Sequence, residues 1–370
     1  MPHNALLRVV LTLFCCLALP ATGVAQPQTG SVSGFVRDTA DGEGVIRATV
    51  LVEGLPLGGL TNIQGYYVLP KVPVGTQTLV FTYIGYAAVR KTVTITSDTA
   101  TRLDVRLQPE VLLGQEVVIR ADSMRAAEML FRKPISQIRL NPAQIRSLPQ
   151  VAESDLLRSL QSLPGVLPLS DFSSALYVRG GTPDQNLYLL DGTDVYNPEH
   201  TFGIFSTFNT DAIKQADMSK GGFGAEYGGR LSSVLDVTNL DGNREEFEGT
   251  ASLSLLSAKT TLQAPLGERG SLSGSIRRTY FDQTIARALD DIPDYWFYDG
   301  NLKAYVELSP RDQLTVSTYG GRDYLDVIFN PDAADPTGIA IDWGNKTGSL
   351  RWTRVITPEL FGTFWLTGSR

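Results

Sequence analysis

The sequence predicts a mainly β protein in three successive parts: a small β-sandwich, a mixed α/β region, and the first strands of a transmembrane antiparallel β-barrel. Three observations carry that expectation. Short β-prone runs separated by turn clusters recur from Ser31 to about Gln108. Between about Ala126 and Asn243 a leucine-rich helical stretch gives way to strands. From Phe247 onward, apolar and polar residues alternate along successive runs, with short and long connections in turn. Tyr and Phe are plentiful and Ala/Glu/Lys runs are rare, a balance that favours strands over helices.

With 370 residues there is room for two or three domains. The net charge of -7 is spread over both signs, with no basic stripe of the kind that neutralises phosphates, so a nucleic-acid partner is not expected.

Residues 1–25 differ from all that follows. Arg8 precedes the apolar run "VVLTLFCCLAL", and "GVA", ending at Ala25, offers small residues for cleavage, as in a secretory signal peptide. The run stops at Pro20, too soon for a span of about 20 apolar residues. Cys15, Cys16 and His3 leave with it, so the exported chain has no thiol for disulfides or catalysis. His200 is then the one imidazole left, which excludes most zinc sites and makes a Ser-His-Asp triad depend on one residue. No enzyme, cofactor or metal site is expected.

Residues 26–110 form the sandwich. "SVSGFVRD", "ATVLVEG", "GYYVLP", "TLVFTYIGY", "KTVTIT" and "TRLDVRL" are strands; Gly54, Gly65, Pro73 and Gly75 supply turns, and Tyr67, Leu69, Leu79 and Phe81 alternate onto one face. "GFVRD", "IRATVLVEG" and "GLTNIQGYYVLPKVPVGTQTLVFTYIGY" resemble the carboxypeptidase regulatory-like domain, which implies an Ig-like sandwich of transthyretin type. No zinc-ligand set is present, so the resemblance implies an accessory domain and no peptidase. Residues 111–125 follow as a linker, in which Glu116 to Ile119 read as a linker strand or an edge strand.

Residues 126–243 are the α/β part. "ESDLLRSLQSLPGV" sets Leu156, Leu157, Leu160 and Leu163 on one helical face, with Glu153 to Asp155 at its start and Pro164-Gly165 at its stop. "ALYVRGG" and "NLYLLDG" are strands joined through Pro183-Asp184. A phosphate loop would need its glycines to lead into a helix, and these lead into another strand. Asp184, Asp191 and Asp194 lack the spacing and closing Glu of a calcium loop.

The ordered motifs "LPGV", "VRGG", "LLDGTDVYNP" and "KGGFGAEYGGRLSSVLDV" resemble the plug domain of TonB-dependent outer-membrane receptors. With the sandwich in front and the signal peptide, the order is similar to receptors of the Bacteroidetes type. The resemblance implies energised uptake of a scarce ligand (siderophore, vitamin, peptide or oligosaccharide) across the outer membrane. Its partners would be a TonB-type energy-transducing complex, membrane lipid, the small ligand and a surface lipoprotein. It implies that Arg179 and Arg230 pair with acidic groups on the barrel wall; solvent-exposed turn residues are the plainer alternative. Gly180, Gly181, Asp191, Gly192, Gly228 and Gly229 would shape turns and contacts where the plug meets that wall. Tyr196, Asn197 and Phe202 would face ligand or pack in the core. Glu116, Val117, Val118 and Ile119 occupy the place of the TonB box, an extended segment that adds a strand to its partner's sheet.

Residues 244–370 read as a partial barrel of about six strands. Leu302, Ala304, Val306 and Leu308 alternate with Asn301, Lys303, Tyr305 and Glu307, and similar runs surround the turns "PLGERG", "SPRD" and "TPE". Long connections are expected near 281–299 and 323–346; a soluble β-sandwich is the plainer alternative. Known single-chain barrels begin at about eight strands and the family implies 22, so six cannot close. The expectation is the N-terminal part of a longer receptor, a truncation or fragment. The rival readings are an exported surface or periplasmic scaffold or adhesion protein, and a secreted hydrolase using His200, against which the absence of a Gly-x-Ser-x-Gly elbow counts. Lack of a "GYG" run after the sandwich counts against a glycan ligand.

Overall fold

In the computed structural model the described residues are 28–97, 100–110, 136–147, 153–170, 173–203, 205–284, 287, 294–329, 337–357 and 360–370. The signal-peptide reading and Glu116 to Ile119 lie outside them.

The first part contains β1 (Thr29–Asp38), β2 (Thr49–Val52), β3 (Gly58–Leu60), β4 (Tyr66–Pro73), β5 (Gly75–Thr82), β6 (Val89–Ile95), β7 (Ala100–Arg102) and β8 (Val105–Leu107). They make two sheets, β4-β1-β7 with β8 also on β1, and β3-β2-β5-β6. The period-two pattern turns Tyr67, Leu69, Leu79 and Phe81 inward, all at most 2% exposed, with Tyr67 and Phe81 edge to face at 5.5 Å. Gly65 must be glycine: its φ is +79°, and a Cβ would sit 2.4 Å from the Val36 carbonyl oxygen.

The second part contains β9 (Gln137–Leu140), α1 (Pro142–Ser147), α2 (Leu156–Gln161), β10 (Val166–Leu167), β11 (Tyr177–Val178), β12 (Asn186–Leu190), β13 (Thr193–Asp194), β14 (Ile213–Ser219) and β15 (Ser233–Asn239). A five-stranded sheet runs β13-β12-β15-β14-β9, with β12 and β15 parallel. Leu156, Leu157 and Leu160 of α2 are fully buried against it, and Leu163 packs alongside. Asp155 starts α2: its carboxylate accepts from the Arg158 N–H at 3.1 Å and, with its other oxygen, from the Ser206 N–H at 2.7 Å. Pro183-Asp184 lies in a single 3₁₀ turn, Pro183–Gln185.

The third part contains β16 (Glu248–Leu253), β17 (Ser257–Pro265), β18 (Gly270–Thr279), β19 (Asp294–Ser309), β20 (Asp312–Phe329), β21 (Thr337–Trp343), β22 (Lys346–Thr357) and β23 (Leu360–Ser369). One antiparallel sheet of eight strands joins them in the order β16-β17-β18-β19-β20-β22-β23, with β21 on the far end of β20. The sequence pattern gives about six. The two it misses are β17, where Leu262 is the one strongly apolar residue among the outward positions Ala258, Thr260, Leu262 and Ala264, and β21, which extends the sheet beyond the alternating band. The long connections are shorter than expected, because β19 starts at Asp294 and β20 runs to Phe329. Among the described residues the sheet does not close on itself.

Its two faces are inverted relative to a soluble sheet. Ser271, Ser273, Ser275, Arg277, Lys303, Thr315, Ser317, Ser349 and Arg351 are buried, while Leu253, Ile276, Leu302, Leu308, Leu350, Phe364 and Leu366 are exposed. Aromatic clusters bound the outward band. Trp296 stacks on Tyr298 and Tyr324 at one end, and Trp352 stacks on Phe364 at the other. On β20 the two clusters lie at Tyr324, opposite Trp296, and at Leu314, opposite Trp352. Ten residues of strand span about 33 Å at ~3.3 Å each. Tilted by about 40°, that is about 25 Å along a membrane normal, the height of an outer-membrane apolar band.

Candidate functional site

The inward polar face receives the second part of the chain, and the contact is ionic. At mid-height Lys303 Nζ of β19 donates to Asp191 Oδ1 at 2.8 Å and to the Asn239 carbonyl at 2.8 Å, and is 2.9 Å from Asp241. Ser317 of β20 donates to the other oxygen of Asp191 at 2.7 Å. Asp191 holds φ at +48° just after β12, a left-handed turn that presents its carboxylate to the sheet while its N–H donates to Val237. Gly192 follows at φ +77°, and a Cβ there would come within 2.4 Å of the Trp365 ring on β23. At this glycine backbone and wall approach closely.

Higher up, Arg277 of β18 pairs with Glu153 at 3.1 Å and Asp299 at 2.5 Å, and donates to the Ser206 carbonyl at 2.6 Å. Lys259 of β17 pairs with Asp211 at 3.0 Å. His200 sits between Asp299 and Asp323. At the lower end Lys214 of β14 bridges Glu43 of the sandwich at 2.5 Å and Asp241 at 3.1 Å. Burial alone would lower the Lys214 pKa; Asp241 and Glu43 more than reverse this and raise it. Glu43 also accepts from the Gly242 N–H at 2.7 Å, and Arg37 and Arg244 share Glu307 at the foot of β19. Tyr66 of the sandwich meets Phe361 of β23 edge to face at 6.0 Å.

A line of charge therefore runs from Glu43 through Lys214, Asp241 and Lys303 to Asp191. Each buried ion has an opposite charge and a hydrogen bond, the condition under which such pairs persist without water.

Of the residues expected at this interface, Asp191 and Gly192 touch the wall. Gly181 packs its backbone against Ser232, and Gly180, Gly228 and Gly229 have open space where a Cβ would stand. Arg179, exposed, donates to Ser136 at 3.0 Å and Arg230, half-buried, to the Gly229 carbonyl, and neither forms an ion pair among the described residues. The wall pairs expected of them are not made with these strands. The polarity is mostly the reverse of that expectation: the sheet supplies the cations Lys259, Arg277 and Lys303, and the second part of the chain supplies carboxylates. Tyr196 is 86% exposed and lines a hollow of about 210 Å³ with Asn345, Lys346, Thr347, Ser369 and Arg370. The Asn197 carbonyl accepts from Asn345 at 2.6 Å. Phe202 falls in the 3₁₀ turn Thr201–Gly203, its side chain outside the described set. Both nitrogens of His200 face carboxylates, the geometry of a charged bridge and not of a base for serine.

Residues 32–119 match the family described as the CarboxypepD_reg-like domain, and residues 133–233 match the TonB-dependent Receptor Plug Domain. The chain carries a TonB-dependent receptor plug domain behind a CarboxypepD_reg-like domain. It is similar to the TonB-dependent receptor P26 of Formosa agariphila, 27% identical over 241 residues that cover 62% of this chain and 22% of that protein. It is also similar to the TonB-dependent transporter Oar of Myxococcus xanthus, 24% identical over 242 residues covering 61% of this chain and 22% of that one. Among solved structures, the siderophore receptor PirA of Pseudomonas aeruginosa aligns with 16% identity and a TM-score of 0.45, covering 64% of this chain and 40% of that chain. The chain spans 22% of the length of the curated relatives it matches.

Proposed function

We propose that this receptor chain forms the regulatory-like domain, the plug and the first wall strands of an outer-membrane transporter for a scarce ligand. The ligand class is a siderophore, vitamin, peptide or oligosaccharide. The observation that carries the reading is the inverted sheet: leucines face outward between two aromatic girdles, while a charged inner face is filled by the plug. An exported scaffold would have to leave those leucines in water.

On this reading the chain is exported through a cleaved signal peptide, and domains divide near residues 25, 110, 125 and 243. Glu116 to Ile119 are the segment offered to a TonB-type inner-membrane complex, and a surface lipoprotein is a further partner. Arg179 and Arg230 keep their expected role as cations for wall carboxylates outside these eight strands, and Tyr196 and Asn197, with Phe202, face the ligand side. No covalent chemistry is assigned.

The test is deletion of Glu116 to Ile119 from the chromosomal gene, followed by uptake of labelled ferric siderophore, cobalamin, peptide and oligosaccharide. The expected result is lost accumulation of one probe with its cell-surface binding kept. Unchanged accumulation of the probe that binds would refute the assignment.

A further inference from the structure

His200 is the one histidine among the described residues, and the wall closes on it from three strands. Its Nδ1 is 2.8 Å from Asp323 on β20, its Nε2 is 2.9 Å from Asp299 on β19, and its ring stacks on Phe297 at 3.7 Å. The next residue adds a backbone bond, from the Thr201 N–H to the other Asp323 oxygen at 2.9 Å. A neutral imidazole has one N–H and can satisfy one of two flanking carboxylates; only the imidazolium donates to both.

The charges around it agree. Asp299 and Asp323 face the ring from the wall, Arg277 from β18 donates to Asp299 and stands 3.3 Å from His200 Nε2, where it competes with Asp299 for that nitrogen, and Glu153 of the plug pairs with Arg277. The hydroxyl of Tyr295 donates to the Thr201 carbonyl near Asp323, and Tyr319 is buried alongside. Three carboxylates against one guanidinium leave two negative charges in excess, which a proton on His200 reduces to one.

We propose that His200 is a proton-operated bolt between plug and wall: charged, it ties the plug loop around residues 198–208 to β19 and β20; neutral, it lets that loop leave. The proposal rests on the reading of the chain as a plug seated against its wall. Burial pushes the ring toward neutrality, and the hydrogen bonds of Asp299 and Asp323 outweigh it, so the pKa of His200 is raised. A raised pKa means the bond is fully present below the ordinary histidine range and is lost as pH rises through the raised value.

The experiment places a thiol under the loop. Ser206 is fully buried, and Ser206→Cys is nearly isosteric. In isolated outer membranes, with any other cysteines replaced by serine, labelling by a water-soluble maleimide is measured from pH 6 to 10. Each rate is divided by that of the urea-unfolded chain at the same pH, to remove thiol ionisation. The expected ratio rises by about tenfold or more toward high pH, one unit or more of coupled pKa. His200→Gln should label fast at every pH, His200→Lys should stay slow, and Asp323→Asn should move the rise to lower pH. A flat profile with His200 present, or the same rise in His200→Lys, overturns the bolt. If the lysine variant does not fold, an unmoved rise in Asp323→Asn does so. Labelling at the unfolded rate at every pH with His200 present would instead show that the plug is not seated, and would overturn the reading beneath the bolt.

Discussion

Lys303, in the middle of β19, donates to Asp191 of the plug across 2.8 Å, and both side chains are almost wholly out of solvent. Lys303→Met would leave Asp191 and Asp241 without their shared cation, and removal of one partner from such a pair costs about 3–5 kcal/mol. Urea unfolding followed by loss of plug protection against trypsin should show that drop. Lys303→Met with Asp191→Asn should recover part of it, since the remaining groups are then closer to neutral.

Gly192 is expected to be far less replaceable than Gly228. Gly192→Ala has to hold a left-handed φ, at about 1–2 kcal/mol, and to push the Trp365 ring aside. Gly228→Ala has open space and no positive φ, and should lie within about 0.5 kcal/mol of the unaltered chain. Thermal midpoints of the two variants make the comparison, and equal midpoints would contradict the close approach.

Asp155 serves two segments with one carboxylate, the first turn of α2 and the Ser206 N–H. Asp155→Ala should cost about 2–3 kcal/mol, a lost cap together with an unpaired buried N–H. Asp155→Asn keeps one acceptor oxygen and should cost less. Chemical denaturation of the three chains would show the order.

The sandwich should loosen as pH rises. Burial, and then the neighbouring Glu43, push the carboxyl of Asp41 from the usual carboxylate range up to about 7. The folded state therefore holds that proton more tightly than the unfolded chain. Its stabilising effect is complete below about pH 4 and is lost as pH climbs through about 7. Asp41→Asn carries no such charge, so its thermal midpoint should fall less between pH 5 and pH 8 than that of the parent chain.

The sheet was legible in the sequence because a strand facing lipid on one side and a packed polar interior on the other writes a period of two. The phase of that alternation already put Lys303 on the polar face with Asn301 and Tyr305. What it could not supply was the partner, because Asp191 is 112 residues away and nothing local marks it as the acceptor. The same holds for His200, which reads as a lone imidazole until the fold brings Asp299 and Asp323 beside it. Arg179 and Arg230 show the opposite limit: a motif assigned them a charged partner, and among the described residues neither forms an ion pair. β17 was hidden because Ser, Thr, Lys and Gln fill most of its positions, so its place comes from pairing with β18 and not from hydrophobicity.

The central claim, that the outward face of the sheet meets lipid while the inward face meets the plug, can be measured with two spin labels in outer-membrane preparations. Leu302→Cys places one outward on β19 and Ser273→Cys the other inward on β18. The label at 302 should relax with dissolved oxygen and ignore a water-soluble nickel chelate, whereas the label at 273 should be shielded from both. Free collision of the nickel chelate with the label at 302 would mean that these leucines face water, and the outer-membrane account would fail.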